Sequence, residues 1–141
     1  MNQITDLAPL AMLTNLEHLD LPVQTPGIAD ITALQALTAL RVLNLSSNQN
    51  IADLTPLAGL IALENLNLDN NSIEDIAALV SNSGMGTGDE IRLQYNPLSQ
   101  SARCDQIAAL ETRGANVLPA SARQCGDATP IFVLRRRGRR A

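Results

Sequence analysis

His18 is the single histidine of this 141-residue chain, and it stands two places from Asp20 in "LEHLD". On an extended strand that spacing puts both side chains on one face. Such a pair is part of what hydrolytic chemistry needs, but a nucleophile in a concave pocket is also required, and no motif supplies one. His18 therefore reads as a surface histidine, and the chain is not expected to be an enzyme. "GMGTG" at 84–88 is glycine-rich, yet it lacks the Lys-Ser/Thr of a phosphate loop and does not follow a strand. It reads as a turn insertion. "DNNSIED" at 69–75 has the composition of a calcium loop, but Ile73 stands where a ligand should be and the turn glycine is absent. No metal and no cofactor are expected. "NLS" at 44–46 and "NNS" at 70–72 match the glycosylation acceptor, a pattern too short to carry weight alone.

The remaining reactive groups are two cysteines and a series of aspartates. Cys104 and Cys125 are compatible with one bridge in an oxidising compartment or with two unrelated thiols. Asp6, Asp30, Asp53 and Asp75 do not converge as paired carboxylates. Each stands before an apolar residue and just ahead of a leucine-rich run, where a carboxylate can cap exposed N–H groups.

What positions these residues is an internal repeat. "LEHLDLPVQTPGIADI" (16–31), "LRVLNLSSNQNIADL" (40–54) and "LENLNLDNNSIEDI" (63–76) share one frame, and "EIRLQYNPL" (90–98) is a shortened fourth copy. Leu19, Leu43, Leu66 and Ile91 align, with Leu21, Leu45, Leu68 and Leu93 two places on. Two apolar residues around one polar residue have period 2, which predicts a short strand with the leucines inward. Gln24, Asn48, Asn71 and Asn96 follow, amides that can donate and accept in a buried turn and so satisfy loop backbone groups of adjoining coils. Upstream, Leu10, Leu13 and Leu16, then Leu34, Leu37 and Leu40, then Leu57, Leu60 and Leu63 recur every third residue, the period of a 3₁₀ turn.

This pattern resembles the leucine-rich repeat family, specifically the short repeat of about 22 residues of bacterial internalin-like proteins. The resemblance covers residues 2 to about 119. It implies an α/β repeat solenoid, a horseshoe with a short parallel concave sheet and a 3₁₀ or irregular convex side. Gln24 in place of asparagine, the longer "PVQTPG" turn and the insertion "SNSGMGTGDE" are departures from it. A C-terminal cap is expected over about 99–119, with Ser101 as helix N-cap, Cys104, Ile107, Ala108 and Leu110 at helical spacing, Gly114 as the stop, and a last short strand at Val117 and Leu118. Residues 120–141 read as a polar linker and an Arg-rich tail, disordered as a run of like charge. "NQITDLAPL" at 2–10 matches the second half of a repeat, so the chain reads as a fragment of a larger protein.

Charge and composition narrow the partners. All ten basic residues are arginines, five of them in the terminal "RRRGRR", which leaves residues 1–134 with an acidic surplus of nine. Nucleic acid is not expected, because phosphate binding needs clustered Lys or Arg on the folded face. No apolar run approaches the roughly 20 residues of a membrane helix, and no charged region followed by an apolar stretch marks an export signal.

The residues predicted to line the concave face are His18, Val42, Asn65 and Glu90 in one column, Asp20, Asn44, Asn67 and Arg92 in the next, then Asp69, Gln94 and Tyr95 toward the strand ends. In the family this face commonly contacts another protein, so the resemblance implies a protein–protein interaction scaffold, secreted or on a bacterial surface. The alternatives are a targeting arm of a catalytic domain outside this chain, and a structural spacer without a ligand of its own. Ile4, Leu7 and Leu10 at an uncapped first coil are expected to promote self-association.

Overall fold

Three leucines spaced by three residues build the convex wall of each coil through one repeated hydrogen bond. In the computed structural model, which describes residues 2–119 and Cys125, Leu34 N–H is bonded to the Ile31 carbonyl, Leu37 to Leu34 and Leu40 to Leu37, at 2.9–3.0 Å. The same relay runs Leu54–Leu57–Leu60–Leu63 and Leu7–Leu10–Leu13–Leu16. The period is thus the backbone's i→i+3 bonding made visible in side chains. Its regular parts are the 3₁₀ helices Ala8–Leu10, Thr32–Ala36 and Thr55–Leu57. Asp6, Asp30, Asp53 and Asp75 each accept the N–H two residues on, at 2.9 Å, and so start the convex segments.

After each relay the chain enters a three-residue strand: β1 (His18–Asp20), β2 (Val42–Asn44), β3 (Asn65–Asn67), β4 (Glu90–Arg92) and β5 (Asn116–Leu118). They form one parallel sheet in that order, with Leu19, Leu43, Leu66, Ile91 and Val117 in register. Leu43, Leu45, Leu66, Leu68, Ile91 and Leu93 are buried in a single core with the convex leucines. Burying each such side chain is worth about 1.5–3 kcal/mol, so the shared interior holds coils that no single repeat could hold alone.

Each strand ends by turning through a left-handed residue: Val23, Ser47, Asn70 and Tyr95 have φ of 52–60°. The chain then reverses over the buried amides. Asn48 Nδ2 donates to the carbonyls of Leu45 and of Leu21 one coil back, while its Oδ1 accepts the Ile28 N–H. Asn71 Nδ2 donates likewise to Leu68 and Leu45, and Asn96 to Leu93 and Leu68. Gln24 fills the same place with a longer reach, donating to Pro22 O and accepting from Ile4 N.

Three expectations need correction. The fourth convex segment is neither 3₁₀ nor irregular but a short α-helix, α1 (Ala77–Ser81), in a stretch of alanines without proline. The cap helix starts earlier than Ser101: Ser99 Oγ accepts the Ala102 N–H, whereas Ser101 already has helical dihedrals and turns its hydroxyl to Asp105. A π-helical turn over Ala102–Gln106 leads into α2 (Ile107–Thr112), with Ala102, Ile107 and Leu110 buried and Gly114 in the left-handed region just beyond. Finally, Leu7 is buried within the shared core instead of lying on an open edge, with Leu10 half-buried against it; Ile4 remains exposed.

Cys104 is disulfide-bonded to Cys125, with Cα atoms 5.4 Å apart. The expected linker and Arg-rich tail otherwise lie outside the described residues.

Candidate functional site

Alternation along strands of three residues leaves the first and third side chains facing away from the core. Because the strands are in register, these form two columns across the sheet, His18–Val42–Asn65–Glu90–Asn116 and Asp20–Asn44–Asn67–Arg92–Leu118. Between the columns over β2 to β4 lies a shallow depression of about 150 Å³, lined by Val42, Asn44, Asn65, Asn67, Glu90 and Arg92 and floored by Leu43 and Leu66.

The two columns differ in what their side chains already do. Asn44 Nδ2 donates to Asp20 at 2.7 Å, and Asn44 Oδ1 accepts the Ser46 N–H. Asn67 Oδ1 accepts the Asp69 N–H. Asp69 takes the Arg92 guanidinium at 3.0 Å and the Gln94 N–H at 2.7 Å. This column therefore holds the strand ends in shape. In the other column His18, Val42, Asn65 and Glu90 make no side-chain hydrogen bond or ion pair with any described residue. Tyr95, at the left-handed corner after β4, is 80% exposed.

A family model described as leucine-rich repeats, two copies, matches residues 38–81. The chain is similar to the solved internalin C2 of Listeria monocytogenes at 42% identity, with a TM-score of 0.62, over 69% of this chain and 40% of that one. A second internalin of the same organism is similar at 28% identity and a TM-score of 0.68, over 82% of this chain and 34% of that one. The chain folds as a leucine-rich repeat solenoid similar to the internalins. A leucine-rich repeat protein of Leptospira interrogans shares the fold at 24% identity and a TM-score of 0.69, over 82% of this chain and 29% of its own. This chain thus spans two fifths or less of the length of each of these solenoids. No curated protein sequence matches it.

Several contributors to the solenoid escape a reading of the strand columns alone. Arg41 and Glu64, one residue ahead of β2 and β3, form a two-pronged ion pair at 3.0–3.1 Å. That pairing holds the Glu64 carboxyl below its ordinary value and raises the Arg41 guanidinium. The signal was Glu17, Arg41 and Glu64 at matching repeat positions with alternating charge. Asn82, in the insertion, is fully buried and donates to Leu57 O and Leu60 O. Gln106 of the cap accepts the Ile76 N–H and donates to Asp75.

The convex side of the solenoid carries two larger grooves, of about 480 and 400 Å³, lined by alanines and by Asp53 and Asp75 or Asp6 and Asp30. Those carboxylates are the turn caps, each already holding a backbone N–H. Among the described residues no three metal-ligating side chains converge, and no helix is long and apolar enough to cross a membrane.

Proposed function

We propose that this chain is a recognition scaffold that docks another protein on its concave face, through His18, Val42, Asn65, Glu90 and Tyr95 above all. The observation that carries this reading is the split between columns: Asp20, Asn44, Asn67, Asp69 and Arg92 are bonded to one another or to the turn backbone, while the neighbouring column offers unspent groups in register. Gln94 contributes its backbone to the turn and stands beside Tyr95 at the rim. An exposed tyrosine is a frequent interface anchor, and few residues usually dominate an interface.

The test places a photo-crosslinking residue at Asn65 and, separately, at convex Gln35, and exposes each chain to host-cell surface extract and to envelope extract. A discrete adduct from position 65 alone supports docking on the concave face; equal yields from both positions reject it. If neither position gives an adduct, the spacer or targeting-arm reading takes its place; if the variant with His18, Asn65, Glu90 and Tyr95 changed to alanine still yields the adduct at another reporter site, those four residues do not carry the docking.

A secreted or cell-surface location is part of the same proposal, and the Cys104–Cys125 bond agrees with an oxidising compartment. Self-association through the first coil now rests on Ile4, Met12 and Leu13, which are 36%, 88% and 48% exposed. Sedimentation of the chain over a concentration series measures it, and a single monomeric species throughout rejects it.

A further inference from the structure

The depression between the two concave columns is half or less of the about 300–1,000 Å³ typical of a small-molecule pocket. At about 30 Å³ per water it holds some five waters, the room of one protruding side chain. Its chemistry says which. Of the charged groups around it, Arg92 is spent on Asp69 and Arg41 on Glu64. Glu90 alone in the lining is ionisable and without a partner among the described residues. Next to it in register, Asn65 keeps its whole amide free, and Asn67, whose oxygen is engaged, keeps its amide N–H₂.

An anionic guest would meet Glu90 with no unpaired cation among the described residues lining the depression to offset it. A cationic one meets a carboxylate and, one strand spacing of about 4.8 Å away, an amide oxygen. Those two acceptors suit the forked donors of a guanidinium, whose several N–H groups reach neighbouring oxygens at once. The wider field has the same sign, since Glu17 and Asp20 lie at the β1 end of the face and residues 1–134 carry an acidic surplus of nine.

We infer that the concave depression is a specificity pocket for an arginine side chain on a basic segment of the partner protein, with Glu90 as its counter-ion and Asn65 as the second acceptor. This rests on the concave-docking reading and sharpens it: the partner surface is basic, and its association slows as salt rises.

The experiment is an NMR titration of the ¹⁵N-labelled full chain with arginine blocked at both ends, against blocked citrulline, which has nearly the same shape without the charge. The expected result is shift changes centred on the side-chain amides of Asn65 and Asn67 and the backbone of Glu90, absent with citrulline. Glu90→Gln should weaken the arginine response about fivefold, the size of an exposed or half-buried ion pair. That variant leaves the fold intact, because the Glu90 side chain bonds to no described residue.

Shifts spread evenly over the acidic surface, or equal responses to citrulline, overturn the pocket. So does movement of the same resonances on diluting the chain alone, which would make a second copy and its arginines the occupant. If arginine gives no response while crosslinking from position 65 persists, the pocket falls and concave docking stands; if both fail, the docking reading falls as well.

Discussion

Asn48 ties together three backbone groups from two coils: the carbonyls of Leu21 and Leu45, and the N–H of Ile28. The bonds to Ile28 and Leu45 are out of water and that to Leu21 is partly so, with Asn48 itself 1% exposed. Replacing it with alanine leaves those groups short of a partner, two of them where solvent cannot substitute, a cost of about 3 kcal/mol. Asn65→Ala on the concave face, by contrast, should stay within about 0.5 kcal/mol, as surface changes do. Urea unfolding at unchanged slope measures both, and equal losses would mean that the amide ladder contributes nothing special. The aspartate caps give a second prediction, in pH. The hydroxyl and then the amide of Thr55 hold the Asp53 carboxyl below its ordinary value, and Thr32 does the same for Asp30. A depressed folded-state value means stability that is complete above the ordinary aspartate range and lost as pH falls through the folded value. Asparagine caps nearly as well without titrating. The Asp30→Asn, Asp53→Asn chain should therefore lose less stability than the parent between pH 4 and about pH 2; parallel acid profiles would show that these caps carry no linkage.

At the scale of elements, the sequence revealed strands and turns for different physical reasons than it hid the rest. Leu43 and Leu45, or Leu66 and Leu68, announce a strand because a two-residue period has only one core-facing register, and all four lie in the interior. The leucine triplets announce 3₁₀ turns because their own amides and carbonyls make the relay. Asn82, Gln106 and Ser99 were not legible, since each acts once, outside the repeat, with partners 22–31 residues away or at an irregular helix start. The concave face was half legible: spacing tells which side chains face outward, but not that Asn44, Asn67 and Arg92 are spent on the turns and on Asp69. The cap is closed by Cys104–Cys125, a loop with a sequence separation of 21. A cross-link of that size is worth about 3 kcal/mol through loss of chain freedom in the unfolded state. Thiol titration of the unreduced, denatured chain should find no free sulfhydryl, and Cys104→Ser with Cys125→Ser should lower the unfolding midpoint by up to that amount. Two titratable thiols in the secreted or oxidised chain would reject the bond.

Among the described residues the contacts between elements run from each coil to its neighbours, from β1 to β5. Stability should therefore be distributed along the stack instead of belonging to one unit. The first coil and the second offer a matched comparison. Leu13 N–H bonds to Leu10 O at 2.9 Å, and Leu37 N–H bonds to Leu34 O at 2.9 Å, in the same turn of successive repeats. Leu13 is 48% exposed and Leu37 is fully buried. If bond geometry alone governed opening, the two amides would exchange alike; if burial between two neighbouring coils governs it, the Leu37 amide is released only by an opening that also exposes β2 and β3. Native-state hydrogen exchange should accordingly show Leu37, Leu45 and Leu68 protected at least about tenfold more than Leu13, a difference of about 1.4 kcal/mol in opening free energy. Equal protection at Leu13 and Leu37 would mean that the stack opens in a single step, and the coil-by-coil account of its stability would have to be given up.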